Sequence, residues 1–374
     1  MNMEKMRTWV EVDTKACVYN LQVARELTGK PVMPVIKGNA HGHGAEKIGL
    51  ELERNGAEAF AVACLTEAVS LRKSGIKVPV LILGYTPEEC AEELVSYDIT
   101  QSILDEDYAI GLSENACKTG KTIQVHVKLD TGMTRTGISA QEDPESAADA
   151  ILRISRLPGL RITGIFSHYA VADVPEKDDY TAWQLSNYKK VLEALSQKGF
   201  TDPVVHHFSN SAVILNHPES YFDMVRMGVM MYGFYPDGVY RENGPLKEAL
   251  SLKTRVAQVR EVPAGTRISY GCTYETNHPS RIAAVAAGYA DAYPRSLSNK
   301  GAYAVINGHR CPQVGRICMD MCMFDVTGVD VKRGDEVILY GKGGIPLDIV
   351  AGLAGSINCE PTCLLTERIE KVFI

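Results

Sequence analysis

Eight short apolar runs, separated by longer stretches of helical period, occupy the first 240 residues and restrict the fold more than any other feature. They are Pro31–Lys37, Ala59–Cys64, Pro79–Gly84, Thr100–Leu104, Ile123–Leu129, Ile162–His168, Val204–Asn210 and Phe222–Met227. Most are rich in Val and Ile without polar alternation, which is typical of parallel strands covered on both faces. Eight strand-then-helix units predict an α/β fold whose first domain, residues 1–240, is a (β/α)8 barrel.

After residue 240 the pattern changes to short strands with little helix between them. The strand candidates are Thr254–Val262, Arg281–Ala287, Tyr303–Val314, Asp335–Tyr340 and Arg368–Ile374, with one helix candidate at Leu347–Leu353. Asn307-Gly308 lies between apolar flanks, which indicates a β-hairpin. Residues 241–374 are therefore predicted to form a second, mainly-β domain.

Composition excludes several classes of protein. The 39 Lys and Arg residues against 46 Asp and Glu give a net charge of −7, without a basic block, so we expect neither nucleic-acid binding nor membrane contact. The ten cysteines are scattered without metal-ligand spacing, so free thiols in the cytoplasm and no metal site are expected. The chain has no apolar run long enough to span a bilayer. The alternative to a free cytoplasmic protein is that the chain is the soluble domain of a membrane-anchored protein.

Polar residues collect where the predicted barrel strands end. They are Lys37, Lys128, Arg135, His168, His206, His207, Asn210, Ser211 and Arg226, with Gly228 close behind. Active sites of such barrels lie at the carboxyl ends of the strands. A lysine there suits Schiff-base chemistry, and small residues let backbone N–H groups approach a phosphate. Pyridoxal 5'-phosphate fits this set, but a barrel aldolase that binds a phosphorylated substrate fits it as well.

Eight motifs are spread over nearly the whole length of the chain. They are Pro34-Val35-Ile36-Lys37-Gly38-Asn39-Ala40-His41-Gly42-His43-Gly44, Val127-Lys128-Leu129-Asp130-Thr131-Gly132-Met133-Thr134-Arg135, Ile165-Phe166-Ser167-His168, His207-Phe208-Ser209-Asn210-Ser211, Val225-Arg226-Met227-Gly228, Ser269-Tyr270-Gly271, Gly288-Tyr289-Ala290-Asp291 and Gly315-Arg316-Ile317-Cys318-Met319-Asp320. Together they resemble the motifs of the alanine racemase family. The resemblance implies a barrel followed by a β domain, pyridoxal phosphate as cofactor, and a homodimer with shared active sites.

The resemblance also assigns the catalytic roles. Lys37 would bind the cofactor covalently and act as the base on one face of the substrate, and Tyr270 of the partner subunit would act on the other. His168 would assist that tyrosine, and Arg226 would face the pyridine nitrogen. A donor-only arginine keeps the ring unprotonated, which we expect to suppress transamination.

Further residues are assigned to the cofactor and the substrate. His207 would support Arg226, and the phosphate contacts would come from His41, Asn210, Ser211, Gly228 and Val229. Arg135 and the backbone of Met319 would hold the substrate carboxylate, and Tyr289 would narrow the entrance. Lys128 matches a lysine that is carbamylated in some members of the family.

Two positions depart from the common family pattern. His41 replaces a tyrosine that contacts the phosphate, and Asn358-Cys359-Glu360 replaces a segment with a tyrosine at the middle position. The extra room and polarity at Asn358 and Cys359 predict that a hydroxymethyl side chain is accepted. This resembles the VanT-type serine racemase branch found in vancomycin resistance. The sequence thus predicts racemisation of serine, with alanine also accepted, to supply D-amino acid for cell-wall precursors.

Four alternatives stay open. The chain could be an alanine racemase with alanine as its main substrate, or a decarboxylase of basic amino acids with the same cofactor and two-domain plan. It could also be a non-catalytic cofactor-binding protein, although such proteins usually lack the β domain. A barrel aldolase, the fourth, would bind no pyridoxal phosphate.

Overall fold

The computed structural model describes residues 5–239 and 241–374. Its strands are β1 (Thr8–Val12), β2 (Val32–Pro34), β3 (Phe60–Val62), β4 (Val80–Ile82), β5 (Thr100–Ile103), β6 (Ile123–Asp130), β7 (Ile138–Ser139), β8 (Leu160–Phe166), β9 (Val205–His207), β10 (Val225–Met227), β11 (Leu250–Val262), β12 (Arg267–Ile268), β13 (Tyr274–Glu275), β14 (Ser280–Val285), β15 (Tyr303–Ile306), β16 (His309–Val314), β17 (Cys322–Asp325), β18 (Glu336–Gly341) and β19 (Glu370–Phe373). Its α-helices span Thr14–Thr28, Ala45–Arg54, Leu65–Ser74, Ala91–Ser96, Glu106–Thr119, Pro144–Ile154, Asp178–Gln197, Ser211–Asn216, Leu347–Ala354 and Glu360–Cys363. The chain divides into a barrel unit, residues 21–40 and 45–231, and a β unit formed by the remaining described residues.

Eight parallel strands of the barrel unit follow one another around a ring, in the order β10, β2, β3, β4, β5, β6, β8 and β9. A single parallel bridge between Val35 and Ala61 joins β2 to β3. The ring closes between β9 and β10, where the Arg226 N–H donates to the Ser209 carbonyl oxygen at 3.3 Å. The predicted (β/α)8 barrel is confirmed, because each of the eight apolar runs overlaps one of these strands.

The barrel strands carry both an apolar cluster and buried polar residues. Met33, Ala59, Ala61 and Leu81 form a buried cluster, against which Val35, Leu83 and Met224 pack. Successive side chains of a strand point to opposite faces, so alternate residues of β6 share one face. His126, Lys128 and Asp130 lie on the same face of β6, and they continue toward its carboxyl end. The alternation of side chains along β6 therefore places His126, Lys128 and Asp130 on one face of the strand.

The β unit contains an antiparallel sheet that closes on itself. Its strands run in the order β14, β17, β16, β15, β18 and β11, and β14 also pairs with β11. Asn307 and Gly308, with φ values of 50° and 79°, connect β15 to β16 as the hairpin signal predicts. The prediction of a second, mainly-β domain is thereby confirmed.

The first strand of the chain belongs to this second sheet. β1 pairs antiparallel with β11 and parallel with β19, so residues from both ends of the sequence lie side by side. The predicted boundary at residue 240 did not anticipate this pairing, which depends on contacts far apart in sequence. In the part of the chain that the structure describes, no helix combines the length and apolar character needed to cross a bilayer.

Candidate active site

Lys37 follows β2 and begins an unusual turn. Gly38, Asn39, Ala40 and His41 have φ values of 62°, 53°, 56° and 49°, a run of left-handed backbone that costs about 1–2 kcal/mol for each non-glycine residue. The carboxylate of Glu67 accepts the Gly38 N–H at 2.6 Å and the Ala63 N–H at 2.8 Å. Glu67 thus ties the turn that carries Lys37 to the end of the neighbouring strand.

Arg226 is the centre of a buried polar cluster in the barrel unit. One of its NH groups donates to His207 Nδ1 at 2.8 Å and to the His207 carbonyl at 2.9 Å. The other donates to the Ser167 carbonyl at 2.7 Å and to His168 Nδ1 at 3.1 Å. Burial lowers the pKa of Arg226 to about 10, so the guanidinium stays charged near neutral pH.

The histidines of this cluster are neutral. Burial, and then the charge of Arg226, hold the pKa of His168 and of His207 well below the usual range. His126 continues the cluster, because its Nδ1 lies 2.8 Å from His207 Nε2, and burial lowers its pKa to about 3. We call His126, His168, His207 and Arg226 the histidine–arginine cluster.

Hydrogen-bond direction in the histidine–arginine cluster starts from Arg226. Because an arginine only donates, the Nδ1 atoms of His168 and His207 must accept, and their protons lie on Nε2. The His207 Nε2–H then donates to His126 Nδ1. The arginine therefore fixes the tautomers of all three histidines.

Lys128 lies beside this cluster at the end of β6. Burial first, and then the charges of Arg135 and Arg226, lower the pKa of the Lys128 amine to about 8. The amine donates to the Thr136 hydroxyl, in the same loop as Arg135. The Arg135 side chain is exposed.

Ser211 and Gly228, predicted as phosphate contacts, lie against each other beside β10. Ser211 Oγ accepts the N–H of Gly228 at 3.0 Å and of Met230 at 3.4 Å. A Cβ on Gly228 would come within 3.4 Å of that oxygen, so glycine keeps the backbone open. Asn210 caps the helix Ser211–Asn216 through a 3.1 Å bond from the Val213 N–H to its Oδ1, and this leaves Ser211 at the helix start.

In the β unit, Tyr270 follows a strained residue. Tyr270 is 69% exposed, and Ser269 before it has φ 65° and ψ −174°, a conformation that side chains rarely adopt. The Ser269 hydroxyl donates to the Arg316 carbonyl at 2.6 Å. The Arg316 guanidinium packs on Gly271, where a Cβ would lie 2.9 Å from its NH1. These contacts fix the backbone on both sides of Tyr270.

Tyr289 and Met319 lie in paired loops of the same unit. The Tyr289 N–H donates to the Cys318 carbonyl at 3.1 Å, and the Ala290 N–H donates to the Met319 carbonyl at 3.0 Å. Tyr289 and Met319 are 42% and 52% exposed, so the structure leaves both available to a ligand or a second subunit.

The positions that depart from the family pattern also lie in the β unit. His41 Nδ1 is 3.2 Å from the Tyr232 hydroxyl. The Asn358 amide is buried and donates to the Tyr235 carbonyl and to Asp348 Oδ1, both at 2.7 Å. Its NH2 group therefore supports the fold, while Cys359 is partly exposed.

The structure thus brings together the barrel residues predicted from the sequence. Its contacts and charge interactions link Lys37, Lys128, Arg135, His168, His207 and Arg226, with Ser211 and Gly228 as a separate contact. Sequence reasoning missed Glu67, His126 and Asp130. The alternation His126, Lys128, Asp130 on one strand is the signal that could have found the last two.

The donor set fits pyridoxal phosphate. The Lys37 amine can form the covalent link, the Ser211 hydroxyl and the backbone at Gly228 suit a phosphate, and Arg226 offers a donor to a ring nitrogen.

Comparison with known proteins shows similarity along nearly the whole chain. Residues 12–236 match the family described as "Alanine racemase, N-terminal domain", and residues 249–373 match "Alanine racemase, C-terminal domain". The alanine racemase of Clostridium perfringens is 43% identical over 371 residues, which cover 98% of this chain and 95% of that protein. The solved alanine racemase of Clostridium difficile 630 has a TM-score of 0.91 at 36% identity, covering 99% of this chain and 96% of that one.

A third relative carries the cofactor. The alanine racemase of Bartonella henselae, solved with covalently bound pyridoxal phosphate, has a TM-score of 0.87 at 29% identity and covers 99% of this chain and 100% of that one. The expectation of pyridoxal phosphate as cofactor is confirmed. With both family domains matched in order, the chain belongs to the alanine racemase family.

Proposed function

We propose that the protein is a pyridoxal-phosphate-dependent racemase that interconverts L- and D-alanine. The observation that carries the proposal is the barrel-end group of Lys37 and the histidine–arginine cluster, in a chain whose relatives are named alanine racemase. Those names favour alanine over serine as the main substrate. The D-alanine would supply cell-wall precursors, and we expect the enzyme to act in the cytoplasm.

Several residues would hold the cofactor. Lys37 would provide the covalent link, Ser211, Gly228 and Val229 would bind the phosphate, and Arg226 would donate to the pyridine nitrogen. When bound, pyridoxal phosphate withdraws electrons from the Cα of the attached amino acid and so makes its proton removable. Arg226 stays charged near neutral pH because its pKa is about 10. It would therefore keep its proton, and the less basic pyridine nitrogen would stay unprotonated.

Racemisation removes the Cα proton from one face and returns a proton to the other, so one group must accept on one face while a second group donates on the opposite face. Lys37 would serve one face and Tyr270 of the partner subunit the other. His168 accepts from Arg226 at Nδ1, so its Nε2–H is directed elsewhere and would donate to the tyrosine oxygen. A phenol with an ordinary pKa of about 10 is a poor base near neutral pH and needs such a donor.

Mixing two inactive variants tests whether the site is shared between subunits. We expect Lys37→Ala and Tyr270→Phe each to lose racemisation. If the two bases come from different subunits, mixed dimers contain one intact site, so random exchange restores roughly a quarter of the sites. If both come from one subunit, mixing restores nothing. The exposed Tyr270, Tyr289, Met319 and Met321 of the β unit favour a dimer.

The substrate carboxylate would be held by Arg135 and by the backbone of Met319, which together orient Cα. Tyr289 would narrow the entrance. Arg135→Lys keeps the charge but loses the two-pronged geometry of a guanidinium, so we expect a raised KM for alanine. A chiral assay of purified protein with L-alanine measures both this effect and the activity itself.

Serine is a second candidate substrate, and Cys359 favours it. Cys359 has less bulk than the tyrosine of the family pattern, and it carries a polar group toward which a hydroxymethyl group could turn. The test compares kcat/KM for L-serine and L-alanine. Cys359→Tyr should shift the ratio toward alanine, while a large preference for alanine in the unmodified enzyme contradicts the serine proposal and its link to the VanT-type branch.

Lys128 is a candidate for carbamylation. The neutral amine is the form that reacts with carbon dioxide, and a pKa of about 8 makes that form abundant at mildly alkaline pH. The reaction joins the amine nitrogen to the carbon and releases one proton. Protein incubated with 13C-bicarbonate should show a carbamate carbon signal that is lost in Lys128→Met, and a signal that persists in the variant rules out this lysine.

A decarboxylase of basic amino acids is separated by its product. Carbon dioxide released from lysine or ornithine, without racemisation of alanine, would replace the proposal. The matched C-terminal domain, residues 249–373, disfavours a non-catalytic cofactor-binding protein that lacks the β domain.

A further inference from the structure

A buried carboxylate at the end of β6 organises the loop that leads to Arg135. Asp130 Oδ1 accepts the backbone N–H groups of Gly132, Met133 and Thr134, each at 3.0 Å. Asp130 is 9% exposed. Three consecutive amides therefore point at one carboxylate oxygen, and hydrogen bonds to a charged acceptor are stronger than those between neutral groups.

The opposite side of this loop is held by the helix Asp178–Gln197. The Tyr180 hydroxyl donates to the Gly132 carbonyl at 2.6 Å, and the Asn187 amide donates to the Thr131 carbonyl at 3.3 Å. A Cβ on Gly132 would lie 2.6 Å from the ring of Trp183, so the loop is in close contact with the helix. Its N–H groups are bound on one side and its carbonyls on the other.

The chain beyond Arg135 is fixed as well. The Lys128 amine donates to the Thr136 hydroxyl, and Leu129 and Asp130 pair with Ile138 and Ser139 of β7. Thr134, immediately before Arg135, has a left-handed φ of 54° and is held by Asp130. Since the Arg135 side chain is exposed, the backbone rather than a packing partner determines where its guanidinium can reach.

We propose that Asp130 is a positioning residue that sets the backbone of Arg135 for binding the carboxylate of the amino-acid substrate. The inference rests on the proposed function, because it assigns Arg135 to that carboxylate. Asp130 acts through the loop and touches neither substrate nor cofactor. Asp130 holds the loop through its acceptor oxygen. The amide oxygen of an asparagine at this position should therefore accept the same backbone N–H groups and keep most of the function.

The test compares Asp130→Asn, which keeps an oxygen at Oδ1, with Asp130→Leu, which keeps the shape without an acceptor. In the cofactor-loaded dimer we expect Asp130→Leu to raise the KM for alanine at least about tenfold, with a smaller change in kcat. The inhibition constant of propionate, a carboxylate without an amine, should rise in parallel. Asp130→Asn should keep both constants within about threefold of the unmodified enzyme.

Two further variants separate positioning from folding. Asp143 is another carboxylate of the barrel unit, and it accepts the Ser146 N–H at 3.0 Å at the start of a helix. Asp143→Leu should therefore lower Tm without changing propionate inhibition. Tyr180→Phe removes the outer contact from a side chain that is 40% exposed, so the protein should fold, and it should raise both constants in the same direction.

The outcomes distinguish the two proposals. An unmodified enzyme that does not racemise alanine overturns the proposed function. An active enzyme in which Arg135→Lys weakens propionate inhibition, while Asp130→Leu and Tyr180→Phe do not, overturns the positioning role alone. Should Asp130→Leu fail to fold, the Tyr180→Phe result decides: a raised propionate constant supports the inference, and an unchanged one overturns it.

Discussion

Gly164, on β8, faces the ring of His126, and replacing it by alanine tests whether the histidine–arginine cluster depends on this contact. A Cβ at Gly164 would lie 2.6 Å from His126 Cε1 and Nδ1, closer than side chains tolerate. The φ of Gly164 is outside the left-handed region, so alanine causes no backbone strain of its own. The ring must therefore move, and the 2.8 Å bond from His126 Nδ1 to His207 Nε2 must lengthen or break.

The expected cost has two parts. Overpacking a buried site costs about 1–3 kcal/mol, and leaving a buried polar group without its partner costs about 1–3 kcal/mol. The two effects share one ring and do not add fully, so we expect Gly164→Ala to lower the unfolding free energy by about 2–4 kcal/mol. Urea denaturation of the protein with its cofactor removed measures this value without any contribution from cofactor affinity.

A double-mutant cycle isolates the contact. With His126→Ala as the background, the ring is gone, and Gly164→Ala should cost nothing or stabilise the strand by about 0.5–1 kcal/mol. Gly111→Ala, in the helix Glu106–Thr119, meets only the flexible Glu88 side chain at 3.2 Å and serves as the control. The reasoning is refuted if Gly164→Ala costs the same in both backgrounds, or if it costs no more than Gly111→Ala.

Three shorter predictions concern other parts of the molecule. Ser269→Gly should retain more activity than Ser269→Ala, because both lose the hydroxyl but glycine adopts φ 65° without strain; equal activities contradict this. The unfolding free energy should fall as pH drops below about 6.5, by up to about 1.4 kcal/mol per pH unit for each histidine of the histidine–arginine cluster. The reason is that these three histidines take up protons in the unfolded chain but not in the folded one. Urea midpoints at about pH 7.5 and about pH 5 measure the fall, and a midpoint that does not depend on pH contradicts it. Between about pH 8 and the ordinary lysine pKa of about 10.4, Lys128 should make stability rise with pH, because the unfolded chain holds a proton that the folded chain has released, and Lys128→Met should remove that rise.

The strands and the barrel-end residues could be predicted because both depend on local sequence. A buried parallel strand is an uninterrupted apolar run, and a polar residue directly after it stands out. Lys37 and His168 are predicted in this way, and Arg226 is a charged residue within the last apolar run. The hairpin at Asn307-Gly308 was equally local, since its backbone conformation favours those two residues.

What could not be predicted depends on contacts between distant residues. The pairing of β1 with β11 and β19 joins both ends of the chain, and no local pattern announces it. The buried Asn358 amide donates to Asp348 and to the distant Tyr235 carbonyl, contacts that no local pattern announces, and its predicted contact with the substrate stays a prediction. The left-handed turn after Lys37 likewise depends on Glu67, which lies about 30 residues later in the helix Leu65–Ser74.

The charges of the barrel end suit the binding of anions, although the protein as a whole is acidic. The chain carries a net charge of −7, yet Lys37, Lys128, Arg135 and Arg226 act on one another at the carboxyl ends of the strands. The hydrogen-bond acceptors around Arg226 are carbonyls and neutral histidines, which orient the guanidinium without cancelling its charge. A neutral acceptor leaves the positive potential available to a ligand, whereas a buried carboxylate in its place would neutralise it. The phosphate of the cofactor and the carboxylate of an amino acid are the anions that this arrangement suits, and the low pKa values of the histidines are the condition for it.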